Sequence, residues 1–455
     1  MAQPYPKEFT PEIRFAAIAA SRFGYGARPG QLAAISADPS GWLMSQVSGA
    51  PEPSPELSAL PDSRMHAAAL LAAHAAGPGA VRVHRREAQA TFEREARAHM
   101  AHALSSRAPF RERLVRFWSN FFGITATDPK SLSLAFAFER EVVRPNLTGS
   151  YATMLTEAVR HPAMLLAFEN SGSFGNYSDA GLGGGSGLNA ALANHILSRL
   201  TIADESAYTN RDIIELTKML TGWSVAGPQE GAPGSFVFRQ ALHQPQGKFF
   251  LNRAYPAAGA LEAEAALDAL TRREATARNL ATRMARAILA DTPSEFVIDS
   301  MISGYAGGGN SLRGLVKGMV DASEAWKPEG TKAKSPEDLV LSVARSLDYG
   351  PSMAGVALRS LRSLGQAPKR APVVAGWPDL DAAWMAPQQM IERVQWVAAA
   401  AADRVSVLGR TPIPEFALSI LGPLLRPSTY RRLSVTRDRA EALGLLFASP
   451  EFQRR

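Results

Sequence analysis

The 455-residue chain has no cysteine. This excludes disulfides, Cys-ligated zinc, iron–sulfur clusters and thiol nucleophiles. It also has no apolar run of the length a membrane span needs. The short apolar stretch at 15–20 is too brief for the core of a signal peptide. The expectation is a soluble, cytoplasmic protein, with the periplasm left open. Histidine is scarce, eight residues in all, and none forms an HExxH or HxH pair, so no metal site is expected. There is no GxxxxGK loop and no GxSxG elbow, so neither a nucleotide P-loop nor a hydrolase-type serine is supported. No cofactor is indicated.

The composition is 46% hydrophobic and 20% charged, as in ordinary globular proteins, and wholesale disorder is excluded. Net charge is +7. The densest basic cluster is Arg82, His84, Arg85 and Arg86, followed by Glu87, Glu93 and Glu95. Interleaved charges of this kind read as a solvated helix face, and nucleic-acid binding is disfavoured. His99 and His102, at i and i+3 on the same segment, read as solvated surface histidines.

Helical periodicity dominates. It predicts a short helix at 11–20, a second at 28–47, and over 64–105 either one long helix or two helices broken at Gly77-Pro78-Gly79. Residues 110–122 place Leu114, Phe117, Trp118, Phe121 and Phe122 on one core-facing stripe. Thr209 or Asn210 suits the cap of a helix over 210–221, and His161 the cap of one starting at Pro162. Residues 50–62 read as a Pro-rich surface connection and 171–188 as a Gly/Ser-rich loop. The one β candidate is 233–256, where SFVFR and KFFL suggest a hairpin turning at QPQG. The fold class expected is mostly α, one large helical domain over 1–455 with a small β-hairpin insertion.

Several motifs occur in a telling order: RFGYGARPG, ERLVRFWSNFF, FEREVVRP, HPAMLLAFEN, GLNAALANHILSRLTI, DIIELTKMLTGW, HQPQGK, SPEDLV, GWPD, AWM and the terminal FASPEFQRR. In this order they resemble the bacterial family called domain of unknown function 1800, with this chain as a divergent member. The resemblance carries no activity. It implies a possible sulfatase-like companion protein. At several positions where the family has a histidine or a carboxylate, this chain has Phe121, Ala190, His195, Ser198 and Arg273. The family's Arg is Asn194, and its His-Asp pair is His243-Gln244. If those positions form a site in relatives, much of it is missing here.

The candidate site residues are His243, Lys248, Asp212, Arg140, Arg144 and Asn189. His243 and Lys248 flank a turn, and imidazole beside ammonium suits a phosphate, sulfate or carboxylate. Lys248 as a simple cap on a surface hairpin fits equally. Glu139, Glu141, Arg140 and Arg144 fit a local helix ion-pair ladder, although Arg140, Arg144 and Asp212 could instead line a cleft. Asp212 also suits the positive end of its helix dipole. The Gly183–Gly187 run is a flexible loop before a phosphate cradle. Two functional readings follow. One is a binding or assembly protein that has lost catalytic residues. The alternative is a hydrolase or transferase acting on an anionic or polysaccharide-like substrate through His243, Lys248 and Asp212.

Overall fold

The computed structural model describes all residues except 1–4, 7, 49–53, 128 and 185–186. Residues 50–53 of the Pro-rich connection and 185–186 of the glycine run therefore lie outside the described residues. Helix makes up 64% of the chain and strand 4%, so the protein is mostly α. No helix among the described residues is long and apolar enough to cross a membrane.

Local signals place many of the helix ends. Gly77 stands at φ +97° and separates the helix Ser63–Ala76 from Pro78–Ser105. Pro78 follows as the first residue of the new helix, where no N–H is required. Thr209 caps Asn210–Leu220 in a capping box with Asp212. His161 caps Pro162–Ala167, its Nδ1 accepting from the Ala163 N–H at 3.1 Å. The predicted stripe forms the helix Pro109–Phe122, with Leu114, Phe117, Trp118, Phe121 and Phe122 all buried.

Three expectations change. The 28–47 region forms two short helices, Gln31–Ile35 and Pro39–Gln46, because Asp38 caps a new start at Pro39. The β region forms two hairpins. Strand β1 (Trp223–Val225) pairs antiparallel with β2 (Phe236–Phe238), and β3 (Lys248–Phe250) with β4 (Arg253–Tyr255). SFVFR thus pairs back onto the residues after the 210–220 helix, and the start of KFFL pairs with Arg253–Tyr255 just beyond it. The third change concerns the long helix: Glu95, His99 and His102 are buried, not solvated. Their i, i+4, i+7 spacing is an inward stripe made of polar residues.

Buried apolar side chains form two clusters, and the helix Pro336–Ser346 belongs to both. Leu339, Val343 and the following Leu347 face the C-terminal cluster with Phe416, Leu443 and Phe447. Val340, Leu341 and Ala344 face the larger cluster with Phe110, Leu114 and Trp118. Each fully buried Leu or Val here contributes about 1.5–3 kcal/mol. The helix is fixed from both sides, and so is its acidic first turn, Glu337 and Asp338.

Candidate functional site

The helices 109–122 and 336–346 meet across a cleft of about 140 Å³. Apolar burial turns one face of the first helix to the core. Arg113, Arg116, Ser119 and Asn120 are left on the cleft wall, at spacings of three and four. Across from them lie Ser335, Glu337 and Asp338. The wall is completed by Tyr25, Lys332, Gln366, Lys369, Trp377, Asp379, Trp384 and Arg455. Most of these stand in the motifs quoted above: RFGYG, RFWSN, SPEDLV, GWPD, AWM and the final QRR. Motifs far apart in the chain therefore converge on one cavity.

Asp338 organises one side. It closes a capping box with Ser335 and accepts from Arg113 Nη1 at 2.7 Å and from Arg455 Nη1. Burial alone would raise this carboxyl, but the two guanidiniums outweigh it and hold it well below the usual carboxylate range. Arg113 also lies over the Tyr25 ring, 4.5 Å from its centroid, and its Nε donates to the Phe23 carbonyl at 3.0 Å.

Glu139 organises the other side. It heads the π-helical turn Glu139–Val143 and is fully buried. Its Oε2 accepts from Lys369 Nζ at 2.7 Å and Ser119 Oγ at 3.1 Å, with Arg116 Nη1 at 3.5 Å. Its Oε1 lies 2.8 Å from His99 Nδ1 and 2.9 Å from Arg144 Nη2. Burial would raise this carboxyl too, yet Lys369, His99, Arg116 and Arg144 hold it far down. Glu337 has fewer allies. Burial pushes it up, Asp338 and Glu139 add to that, and Arg116 opposes them. Burial likewise lowers Lys369, against Glu139 and with Arg116. Burial also raises Asp379.

A strap over 373–379 closes the rim. Asn120 holds its backbone twice: Nδ2 donates to the Trp377 carbonyl at 2.9 Å, and Oδ1 accepts from the Trp377 N–H at 2.7 Å. Gly376 has φ +80°, and a Cβ there would lie within 2.4 Å of Asn120 Oδ1, so the approach requires glycine. Trp377 and Trp384 pack 5.9 Å apart on this rim.

The residues singled out from the chain fall in three other places. His243 and Lys248 do meet, with Nζ 3.2 Å from Nε2. They form a closed group: His243 Nδ1 donates to the Thr221 carbonyl at 2.9 Å, and Lys248 Nζ donates to the Gln244 carbonyl at 2.6 Å and pairs with Glu262 at 2.5 Å. His243, Lys248 and Glu262 are all buried, which corrects the surface-hairpin reading of Lys248. The apolar residues of β3 and β4 carry the lysine inward. Asp212 bonds Thr209 and accepts from the Leu251 N–H at 2.8 Å. Asn189 accepts from the Ala191 N–H and donates to the Phe168 carbonyl.

Arg144 sits one carboxylate behind the cleft, and Arg140 and Arg144 both line a separate pocket with Glu112 and Glu141. Arg144 binds Glu112 as well as Glu139, and Arg140 binds Glu95 and contacts His99. Glu141 bonds Ser63 and lies 3.3 Å from His161. These are pairs between distant elements, not the local ladder expected from the spacing. Among the substituted family positions, Phe121 packs on Trp118 beneath Arg283, and His195 donates to the neighbouring Phe122 carbonyl. Among the described residues no group of three or more His, Asp or Glu could hold a metal ion.

Sequence reasoning quoted the cleft motifs without joining them. It missed Arg116, Glu139, Glu337, Asp338 and Arg455 as partners, and it did not single out Lys369. A family model described as "Protein of unknown function (DUF1800)" matches residues 18–454. No curated protein and no solved structure matches.

Proposed function

The chain belongs to the family of proteins of unknown function described as DUF1800, and on that premise we propose that it is a binding protein whose cleft takes a small ligand bearing an acidic group. The observation that carries this is a pair of unspent donors. Arg116 and Arg455 both line the cleft, and the Nε of each is buried without a hydrogen-bond partner among the described residues. Arg116 Nε is 3.3 Å from Glu337 Oε1, an ion-pair distance without hydrogen-bond geometry. Of the six arginine Nε atoms buried in this way among the described residues, these two are on the cleft wall; a donor so placed is costly, and a carboxylate, sulfate or phosphate oxygen would satisfy it. The lining also carries more cations than carboxylates: Arg113, Arg116, Lys332, Lys369 and Arg455 against Glu337, Asp338 and Asp379. Trp377 and Trp384 offer an apolar face at the same rim.

On this reading the charged cleft, not the His243–Lys248 group, is the working site. An acidic ligand also suits the sulfatase-like companion that the family resemblance suggests as a partner. The test is thermal unfolding in the presence of sulfate, phosphate, simple carboxylates and sugar acids. A ligand that binds only the folded state raises the midpoint by mass action. At least one of these anions raises the wild-type midpoint, and Arg455→Met, which leaves Asp338 its Arg113 partner, abolishes the rise. Absence of any rise, or an equal rise in the variant, overturns the reading.

A further inference from the structure

The cleft holds two lysines, and they are held differently. Lys332 is saturated: its Nζ pairs with Asp291 and Asp381 and donates to the Asp379 carbonyl. Lys369 has one ion-pair partner, Glu139, and that carboxylate also serves Arg116, Arg144, His99 and Ser119. Arg116 and Arg144 each have a second carboxylate, Glu337 and Glu112, and among the described residues Lys369 alone of the three relies on Glu139 for its ion pair. The Lys369 amine is thus buried, held by one shared carboxylate, and on the wall of a cavity.

Its backbone points the same way. Lys369 has φ +56°, in the left-handed region that non-glycine residues seldom occupy. The conformation is fixed by the Ala126 N–H, which donates to the Lys369 carbonyl at 2.6 Å. Among the described non-glycine residues with positive φ, Lys369 is the one that lines the cleft. Strain of this kind persists where the position of a side chain matters, and it clusters at sites of chemistry.

We propose that Lys369 is a covalent anchor: its amine condenses with the carbonyl group of a small oxo acid whose acidic group lies against Arg116. This rests on the cleft being an anion site. In the first step the nitrogen lone pair forms a C–N bond as the carbonyl π pair moves to oxygen, and a proton passes from nitrogen to that oxygen. The resulting carbinolamine then loses water. A second proton reaches the departing oxygen from a general acid, the C–O bond breaks, and the nitrogen lone pair closes the iminium. Glu337 and Asp379 are the two cleft carboxyls that burial raises, and either can supply that proton. No oxidant or reductant is consumed. Burial favours the uncharged form of the Lys369 amine, which is the nucleophile.

Incubation of the full-length protein with glyoxylate and cyanoborohydride, followed by peptide mapping, tests this. The reagent reduces the iminium and leaves a stable adduct. Labelling at Lys369 should exceed that at Lys332, whose amine is held by two carboxylates and a backbone carbonyl. Lys369→Arg, which keeps the charge beside Glu139, should lose the adduct. Labelling spread over exposed lysines, or an adduct that survives in Lys369→Arg, overturns the proposal. Carboxylate stabilisation without an adduct overturns the covalent step and leaves the binding site standing. Absence of both overturns the two together.

Discussion

The Glu139 cluster and the Glu262 cluster are made of the same kinds of residue: a buried glutamate, a buried lysine and a histidine. They differ in closure. Around Glu262, Lys248 and His243 spend their donors on the Thr221 and Gln244 carbonyls and on one another, while Glu262 also accepts from the Ala258 N–H. The group ties β3 to the helix Ala260–Thr271. Around Glu139, several cations share one carboxylate, and the cluster opens onto a cavity through Arg116 and Lys369. Charge beside space is the mark of a binding site, and charge paired without space is the mark of a brace. Residue type alone does not separate the two.

The comparison can be broken most directly at its two glutamates. Glu139→Ala leaves Lys369, Arg116 and Arg144 with a shared partner gone. Removing one member of a buried ion pair costs about 3–5 kcal/mol, and the loss should lie at the upper end of that range in denaturant unfolding. Glu262→Ala strands Lys248 in the same way and should cost about 3 kcal/mol. The double change Glu262→Leu with Lys248→Met should recover most of that loss, because two apolar groups replace a closed pair. If the double variant is no better than the single one, the brace reading fails.

The third effect is a pH dependence. Burial lowers His99 from its ordinary 6.5 to about 4, although Glu139 opposes the shift. Unfolded His99 takes up a proton as pH falls through 6.5, and folded His99 does so only near 4. Stability is therefore unaffected above 6.5 and declines as pH falls from 6.5 towards 4, by about 3 kcal/mol in all from this group. Carboxylates add their own acid loss nearer their ordinary range, so the diagnostic window is pH 6.5 to 5. His99→Gln should lessen the slope there, while His195, which burial lowers to about 3, keeps its own share. An unchanged slope in the variant would assign it elsewhere.

Much of the helical frame is legible in the chain. The stripe of Leu114, Phe117, Trp118, Phe121 and Phe122, the break at Gly77-Pro78, and the caps at Thr209 and His161 each depend on neighbours within a turn or two. The site is legible only in pieces. His99 reads as exposed because the helix Pro78–Ser105 is polar on most faces, and nothing local says that Glu139 will meet it. The spacing of Glu95, His99 and His102 with Phe92, Ala96 and Ala103 is the signal that could have shown an inward face. Arg144 reads as part of a local ladder because Glu112, its partner, comes from another helix.

The sequence by itself determined the family, the mostly helical class, the principal helix boundaries and the absence of thiol chemistry, because caps, periodicity and composition are properties of short stretches. The tertiary structure decided which charges are buried together, which of them are closed off, and which line a cavity. Burial sets the energy of a charge, and burial is fixed by packing between elements far apart in the chain. Lys248 and Lys369 carry the same side chain, and only their surroundings make one a brace and the other a candidate reagent.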